Sequence, residues 1–275
     1  MTITEAELAS LTFGCELEYE GITQERAAKV VAQVTGGTAR YEGYHLHNWT
    51  VTTGDGRKWQ VVSDGSLWGG AEVVTPIMTY ADMETLQEVV RAMRKAKAKV
   101  NSRTGLHVHV GAQGMTPTQI KNLVKIFYKQ ETLILKATGT QQCRIDSYTR
   151  KTDLGFVDKI CKMANPTMAK LADAYYTGYS DRHSHYSRAR YHEQSLHAGV
   201  IKAAVLIDLL MVLKAKSAKA ASAKNPRPYN EASAKYDFRV FLLRLGANGA
   251  TFKSMRKHLC KNLPGSAAWK DGRHD

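Results

Sequence analysis

The sequence predicts an α+β protein with an antiparallel sheet. Strand-like segments concentrate in the first 111 residues and helix-like segments in the rest, whereas parallel βαβ units would alternate the two along the chain. With 275 residues, of which 43% are hydrophobic and 23% charged, the chain can bury a sizeable core in one large domain or two small ones.

The first strand is predicted at residues 12–21, where apolar and polar residues alternate. Glu16, Glu18 and Glu20 share its polar face, and side chains two residues apart on a strand lie about 6–7 Å from each other. If Glu16 and Glu18 are both buried, either one of them is protonated or a cation lies between them. Carboxylate oxygens suit Mg²⁺ or Mn²⁺. An exposed polar face of a half-buried strand explains the row equally well.

Residues 105–111 also alternate, which places His107 and His109 on one strand face. Two imidazoles in this arrangement could bind a metal or contact a phosphate. Zinc would require a third close ligand, which the neighbouring sequence does not supply. A structural role for the pair is an equal alternative.

Two more strands are expected at 58–63 and 71–77, and a glycine-containing turn joins them. Glu72 lies within the second of these strands, where apolar neighbours require a carboxylate to have a partner. Asp64 and Ser66 lie in the turn. Asp64 is therefore either a functional carboxylate or an ordinary turn residue.

Arginine, tyrosine and histidine side chains cluster in residues 179–192, a segment predicted to be a loop. Arg188, Arg190 and His192 could together grip a carboxylate or a phosphate, because guanidinium groups match the geometry of both anions. Taken alone, the segment is better interpreted as a basic surface loop.

Helical periodicity predicts helices over residues 23–35, 82–100 and 116–139. The last of these begins with Thr116-Pro117-Thr118-Gln119, a sequence typical of a capping box. The most apolar stretch, residues 200–213, is too short to span a bilayer and is predicted to be a buried helix.

The net charge of +14 comes mainly from the C-terminal third, where residues 201–275 hold fifteen Lys or Arg and five Asp or Glu. This balance indicates either an anionic partner, such as nucleic acid or nucleotide, or a solvated lysine-rich face. Four scattered cysteines without metal or redox spacing, and an N-terminus without a secretory signal, predict a cytoplasmic protein with reduced thiols. No association with a membrane is expected.

Five short motifs occur in an order that resembles the amidoligase family, carboxylate–amine ligases related to glutamine synthetase. They are TFGCELEYEG, WQVVSDGSL, GGAEVVTPIM, GLHVHVGA and SRARYH. The segment KYDFRVFLLRLGANGATFKSMRKHLCKNL is similar to the tail of phage-type and bacterial members. The resemblance implies one amidoligase-like domain over residues 1–275, with a basic linker at about 214–234 and a helical tail at 235–263.

The resemblance also implies a fold and an activity. The fold would be a curved antiparallel sheet of the glutamine-synthetase type, flanked by helices, whose face binds ATP and Mg²⁺ or Mn²⁺. Such enzymes phosphorylate a small-molecule or peptide carboxylate, and an amine then displaces the phosphate to form an amide.

Motif position implies three kinds of role for the residues singled out above. The implied metal ligands are Glu16, Glu18, Glu72 and His107. The implied cofactor-binding residues are Ser66, His109 and His192. The implied catalytic residues are Asp64 and Arg190. Asp64 would lie near the amine or the acyl-phosphate, and Arg190 would grip substrate or phosphate.

One departure from the family concerns a late strand of the form G-T-x-E-F-R, whose Glu and Arg bind metal and the transferring phosphate. Here residues 193–195 lead directly from the RYH motif to LHAG at 196–199. Residues 237–239 read Asp-Phe-Arg, but their context matches the helical tail. This departure favours an alternative to the ATP-dependent ligase, an impaired descendant that binds a nucleotide or a partner. The basic C-terminal third supports a second alternative, a nucleic-acid-binding protein.

Overall fold

The computed structural model describes residues 3–43, 48–64, 67, 69–147, 151–176, 189–192, 196–222 and 225–270, with the main chain alone at 147 and 189–192. The strands are β1 (Phe13–Tyr19), β2 (Thr38–Tyr41), β3 (Trp49–Thr52), β4 (Lys58–Ser63), β5 (Ala71–Val74), β6 (Leu106–Val110) and β7 (Ala189–His192). The α-helices are α1 (Glu5–Ala9), α2 (Gln24–Thr35), α3 (Met83–Lys95), α4 (Pro117–Ala137), α5 (Gln142–Ser147), α6 (Leu154–Lys162), α7 (Met168–Tyr176), α8 (Ala198–Ser217), α9 (Ala234–Arg244) and α10 (Lys253–Cys260).

The chain divides into two compact units. The sheet unit comprises Thr4–Gly111 and Ala189–Leu206, and the helical unit comprises Met1–Ile3, Ala112–Arg188 and Ile207–Asp275. The candidate functional residues with described side chains all belong to the sheet unit.

The sheet unit is built on a sheet with the strand order β2-β3-β4-β5-β1-β6-β7, in which every neighbouring pair is antiparallel. The predicted α+β class and antiparallel sheet are therefore confirmed. Because β1 lies between β5 and β6, three segments that are distant in sequence meet along one strand. This neighbourhood determines which polar side chains come together.

One face of the sheet is apolar and buried. On β1 it is formed by Phe13, Cys15, Leu17 and Tyr19, each at most 3% exposed. Helix α2 packs on β2, β3 and β4 of the sheet, and α3 packs against α2. Burial of this face fixes the alternation of β1, because a slip of one residue would turn its glutamates into the core.

Local sequence signals explain both ends of α2. The hydroxyl of Thr23 accepts a hydrogen bond from the main-chain N–H of Arg26 at the first turn, 3.2 Å away. At the other end Gly36 adopts a left-handed conformation with φ of 67°, which ends the helix. The predicted helix over 23–35 is confirmed.

In the helical unit, α4 begins at the predicted capping box, where Thr116 and Gln119 bond to each other's main-chain N–H. Helices α6 and α7 pack on α4 through apolar clusters that include Ile160 and Leu171. Helix α8, whose residues up to Leu206 belong to the sheet unit, is apolar on all sides and largely buried, as predicted for residues 200–213. None of the described helices has the length and apolar character needed to cross a membrane.

Two predicted elements are shorter in the structure. Helix α3 ends at Lys95 rather than near residue 100, because the chain turns at Lys97, with φ of 79°, and Lys99 then pairs with Glu20. Strand β5 ends at Val74 rather than at residue 77. Pro76 has no N–H to donate to a continued ladder.

Other differences concern elements that the sequence did not indicate. Strands β2 and β3 were not predicted, and the segment predicted as a loop over 179–192 ends in strand β7. The expected linker at 214–234 begins inside α8, which continues to Ser217. These segments are short or polar, so their structure depends on neighbouring elements rather than on periodicity.

Replacing Leu86 with alanine should lower the free energy of unfolding by about 2–5 kcal/mol. Leu86 lies fully buried on α3, so the change leaves a cavity between α3 and the residues that pack on it. Urea unfolding measures the loss. Glu88→Ala, at an exposed position of the same helix, is the control and should stay within about 0.5 kcal/mol of the wild type. Equal stabilities for the two variants would contradict this packing.

Candidate functional site

The polar face of the sheet gathers carboxylates and imidazoles from three adjacent strands. In the register of β1 with β5, Glu18 lies directly across from Glu72. In the register of β1 with β6, Glu16 lies across from His107 and Gly14 across from His109. Directly opposed residues on antiparallel strands point to the same face, with Cβ atoms about 4.5–5.5 Å apart. The five side chains therefore form one cluster.

Both histidines contact Glu16. The distance from His107 Nδ1 to Glu16 Oε2 is 2.6 Å, and that from His109 Nε2 to Glu16 Oε1 is 2.9 Å. The hydrogen bond with His107 and then that with His109 hold the pKa of Glu16 well below its usual range, against the opposing effect of burial. Glu16 is therefore an ionised acceptor, and each ring nitrogen that contacts it carries the proton.

The second ring nitrogen of His107 has no hydrogen-bond partner among the described residues. Nε2 is fully shielded from solvent, the side chain is only 7–8% exposed, and Oε1 of Glu18 lies 3.3 Å away without hydrogen-bonding geometry. In the neutral ring, a proton on Nδ1 leaves a lone pair on Nε2. A buried lone pair facing a carboxylate oxygen is an arrangement that a cation would stabilise. Metal-bound histidines commonly have a carboxylate on the other nitrogen, as His107 has.

Glu18 is almost completely buried, with 3% of its surface exposed. The main-chain N–H of Gly105 donates a hydrogen bond to its Oε2 at 2.5 Å, which leaves Oε1 facing His107. A main-chain donor fixes the carboxylate in one orientation.

Among the described residues, two groups of side chains have the spacing of metal ligands. One ligand atom each from Glu16, Glu72 and His107 lie within 4.8 Å of one another, and the same holds for Glu18, Asp64 and Glu72. Glu72 belongs to both groups. The donors are carboxylate oxygens with one imidazole, a set that suits Mg²⁺ or Mn²⁺ better than a soft metal. The residues present therefore fit a pair of divalent cations that share Glu72.

Comparison with known proteins gives one match. A family model described as "putative amidoligase enzyme" matches residues 9–204, which is more than half of the chain. The chain belongs to the amidoligase family. No curated protein matches it, and no solved structure does.

Membership in the amidoligase family assigns the chain, at this coarse level, to the ligases. The matched region contains β1, β5 and β6, which carry the cluster, and extends through β7 into α8. The family resemblance noted in the five motifs is thereby confirmed.

The structure brings together most of the residues singled out as an amidoligase site. Glu16, Glu18, Glu72, His107 and His109 lie on adjoining strands, and Asp64 joins them from the end of β4. Their assignment to metal, nucleotide and catalysis stays a prediction.

The side chains of the other three predicted residues, Ser66, Arg190 and His192, are not among those that the structure describes. Ser66 lies outside the described residues. For Arg190 and His192 only the main chain is described, in β7, where His192 is paired with Leu106 of β6.

Two features of the cluster had no counterpart in the prediction. Glu20, the third carboxylate of the predicted row, is not part of either ligand group and instead accepts hydrogen bonds from Asn101 and Arg103. The Gly105 N–H that holds Glu18 is a main-chain group, which a side-chain pattern does not reveal. The hydrogen bond between the Gly105 N–H and the Glu18 carboxylate could be identified only once the pairing of β1 with β6 was known.

Glu16 should remain ionised in the metal-free protein at pH values below the ordinary glutamate pKa of about 4.3, because the hydrogen bonds with His107 and then His109 lower its pKa. A carboxyl with a lowered folded-state pKa adds stability above its unfolded pKa, and this stability is lost as the pH falls through the folded value. Carbon-13 NMR of the side-chain carboxyl measures the titration. In a His107→Ala/His109→Ala variant the Glu16 midpoint should rise, because both hydrogen bonds are gone. An ordinary midpoint in the wild type would contradict the geometry.

Proposed function

We propose that this member of the amidoligase family is an ATP-dependent ligase that joins a carboxylate to an amine through an acyl-phosphate. The observation that carries the proposal is the pair of ligand groups that share Glu72 beside the buried Nε2 of His107. Divalent cations held by these two groups of ligands would be well suited to binding the phosphates of a nucleotide.

The proposed reaction has two steps. A carboxylate oxygen of the substrate attacks the γ-phosphorus of ATP, and the bond to the β–γ bridging oxygen breaks to release ADP. The amine nitrogen then attacks the carbonyl carbon of the acyl-phosphate, phosphate leaves, and the nitrogen loses a proton. Bound Mg²⁺ or Mn²⁺ would supply neutralisation of the charge that develops on the phosphate oxygens.

We assign one ion to Glu18, Asp64 and Glu72, and the other to Glu72 and His107. Glu16 would help to hold the second ion and would also fix the imidazole of His107, since its Oε2 accepts from Nδ1. Its ionised state adds a negative charge that strengthens the attraction for the cation. This grouping favours a role for Asp64 toward the metal, in addition to the place near the amine that the resemblance implies.

His109 has a different environment from His107. Its side chain is 43% exposed, and its Nε2 contacts Glu16. We assign it to the phosphates of ATP, together with Ser66 and His192, and we assign Arg190 to the transferring phosphate or the substrate. These four assignments follow the family resemblance.

A second candidate is a family descendant that binds ATP and metal without turnover. It is favoured by the course of the chain after β7, since no strand follows β7 among the described residues and residues 198–217 form α8. The late strand with its Glu and Arg, expected from the resemblance, therefore has no equivalent in the described part of the sheet. Loss of one group that stabilises the transition state commonly costs about 10²–10³ in rate.

Glu72→Gln should lower amine-dependent ADP release by about a hundredfold or more, because it removes a charged ligand from both groups. Gln60→Ala is the matched control. Gln60 is exposed on β4 and lies opposite Val74, on the same sheet face as Glu72, so its loss should leave the rate within about twofold. Equal rates in the wild type and Glu72→Gln would exclude this site.

The substrates can be sought by incubating the protein with ATP, Mg²⁺ and pools of carboxylates and amines, followed by mass spectrometry of intact products. The ligase predicts a product whose mass equals acid plus amine minus water, formed only with ATP. Tight binding of ATP with Mg²⁺ but no product and no ADP would support the second candidate instead.

A further inference from the structure

We infer that Glu20, Asn101 and Arg103 form a clasp that positions the carboxylate of Glu18 for metal binding. The inference deepens the proposed function and rests on it, because it assigns positioning residues to the same metal site. None of the three residues belongs to a ligand group.

The clasp closes the loop between α3 and β6 onto the end of β1. Asn101 Nδ2 donates to Glu20 Oε2 at 2.6 Å, and an Arg103 guanidinium nitrogen lies 3.1 Å from Glu20 Oε1. The main chains of Glu20 and Lys99 also bond to each other twice, at 2.8 and 2.9 Å. Both carboxylate oxygens of Glu20 are thus held by the loop.

The loop is also tied internally. Asn101 Oδ1 accepts from the N–H of Arg103 at 2.8 Å, and the fully buried Thr104 bonds to Asn101 in both directions, at 2.9 and 3.0 Å. The next residue is Gly105, whose N–H donates to Glu18 Oε2. Gly105 is also bonded to β1 directly, since its carbonyl accepts from the main-chain N–H of Glu18 at 3.2 Å. The chain of hydrogen bonds that begins at Glu20 adds to this by holding the residues that lead into Gly105.

The target of this chain is a specific atom. With Oε2 held by Gly105, Oε1 of Glu18 lies 3.3 Å from the buried and unpartnered Nε2 of His107. The Glu18 carboxylate is thus directed toward the buried ring nitrogen of His107. If the loop relaxed, Glu18 would lose the donor that keeps Oε1 beside the imidazole, and the ligand group of Glu18 would no longer be preorganised next to that of His107.

The experiment measures Mn²⁺ affinity in EDTA-stripped full-length protein, with free Mn²⁺ followed by its electron paramagnetic resonance signal. Asn101→Ala should weaken binding by about tenfold, as is typical when a group that orients a ligand is lost. Glu20→Gln is nearly isosteric and should weaken it less. Ser102→Ala is the matched control, because Ser102 is exposed in the same turn, and it should bind as the wild type does.

A swap of the two partners separates positioning from simple loss of structure. In Glu20→Gln/Asn101→Asp the amide donor and the carboxylate acceptor exchange places, so the hydrogen bond can form again with reversed polarity. Affinity should return to within about threefold of the wild type, which non-interacting sites would not show. Amide exchange at Gly105 should be faster in Asn101→Ala and restored by the swap.

Circular dichroism and the thermal midpoint check that each variant is folded, and Glu20→Gln carries the test if Asn101→Ala is not. If Asn101→Ala folds and binds Mn²⁺ with wild-type affinity, the clasp is overturned and the proposed function stays intact. If Asn101→Ala does not fold, wild-type affinity in Glu20→Gln has the same meaning. A swap that fails to restore affinity would also overturn it. If the wild type itself binds no Mn²⁺, the proposed function fails and the clasp falls with it.

Discussion

Like charges directly opposite each other on neighbouring strands are destabilising, and this structure places two of its carboxylates in that position. Glu18 lies across from Glu72, and Asp64 lies within ligand distance of both. Glu18 is also nearly inaccessible to water, which removes the solvation that would moderate the repulsion. The repulsion is relieved either by a proton on one of these carboxyls or by positive charge on the same face.

The protein offsets part of that charge with its own groups. Two imidazoles hydrogen-bond to Glu16, and a main-chain N–H from Gly105 bonds to Glu18. These contacts orient the side chains but leave the lone pair of His107 Nε2 buried among carboxylates. In the proposed function a divalent cation would complete the balance, and this would connect the fold of the sheet unit to the proposed chemistry of an amidoligase. The apolar face beneath, on which α2 packs, fixes the alternation of β1 on which the cluster depends.

The sequence made it possible to predict which side chains share a face of each strand, but not which strands lie next to each other in the sheet. Alternation predicted that Glu16 and Glu18 share one face of β1 and that His107 and His109 share one face of β6, because a period of two is a local property. The order of the strands in the sheet is not local, so the pairings of Glu18 with Glu72 and of Glu16 with His107 required the structure.

The same limit explains what was missed. Glu20 fits the alternation of the carboxylate row, yet a loop about eighty residues away takes up both of its oxygens. Strand β2 has four residues and none of them is buried, so its sequence shows no apolar alternation that would indicate a strand. The family motifs located the site because they select residues by position, and the register then supplied the geometry.

The most direct test of the central claim is the anomalous scattering of Mn²⁺ in crystals of the protein. The account predicts two peaks on the polar face of the sheet, one bounded by Glu18, Asp64 and Glu72 and the other beside His107 Nε2, with Glu72 between them. Well-ordered side chains without a peak at full Mn²⁺ loading, or peaks confined to other surfaces, would contradict it.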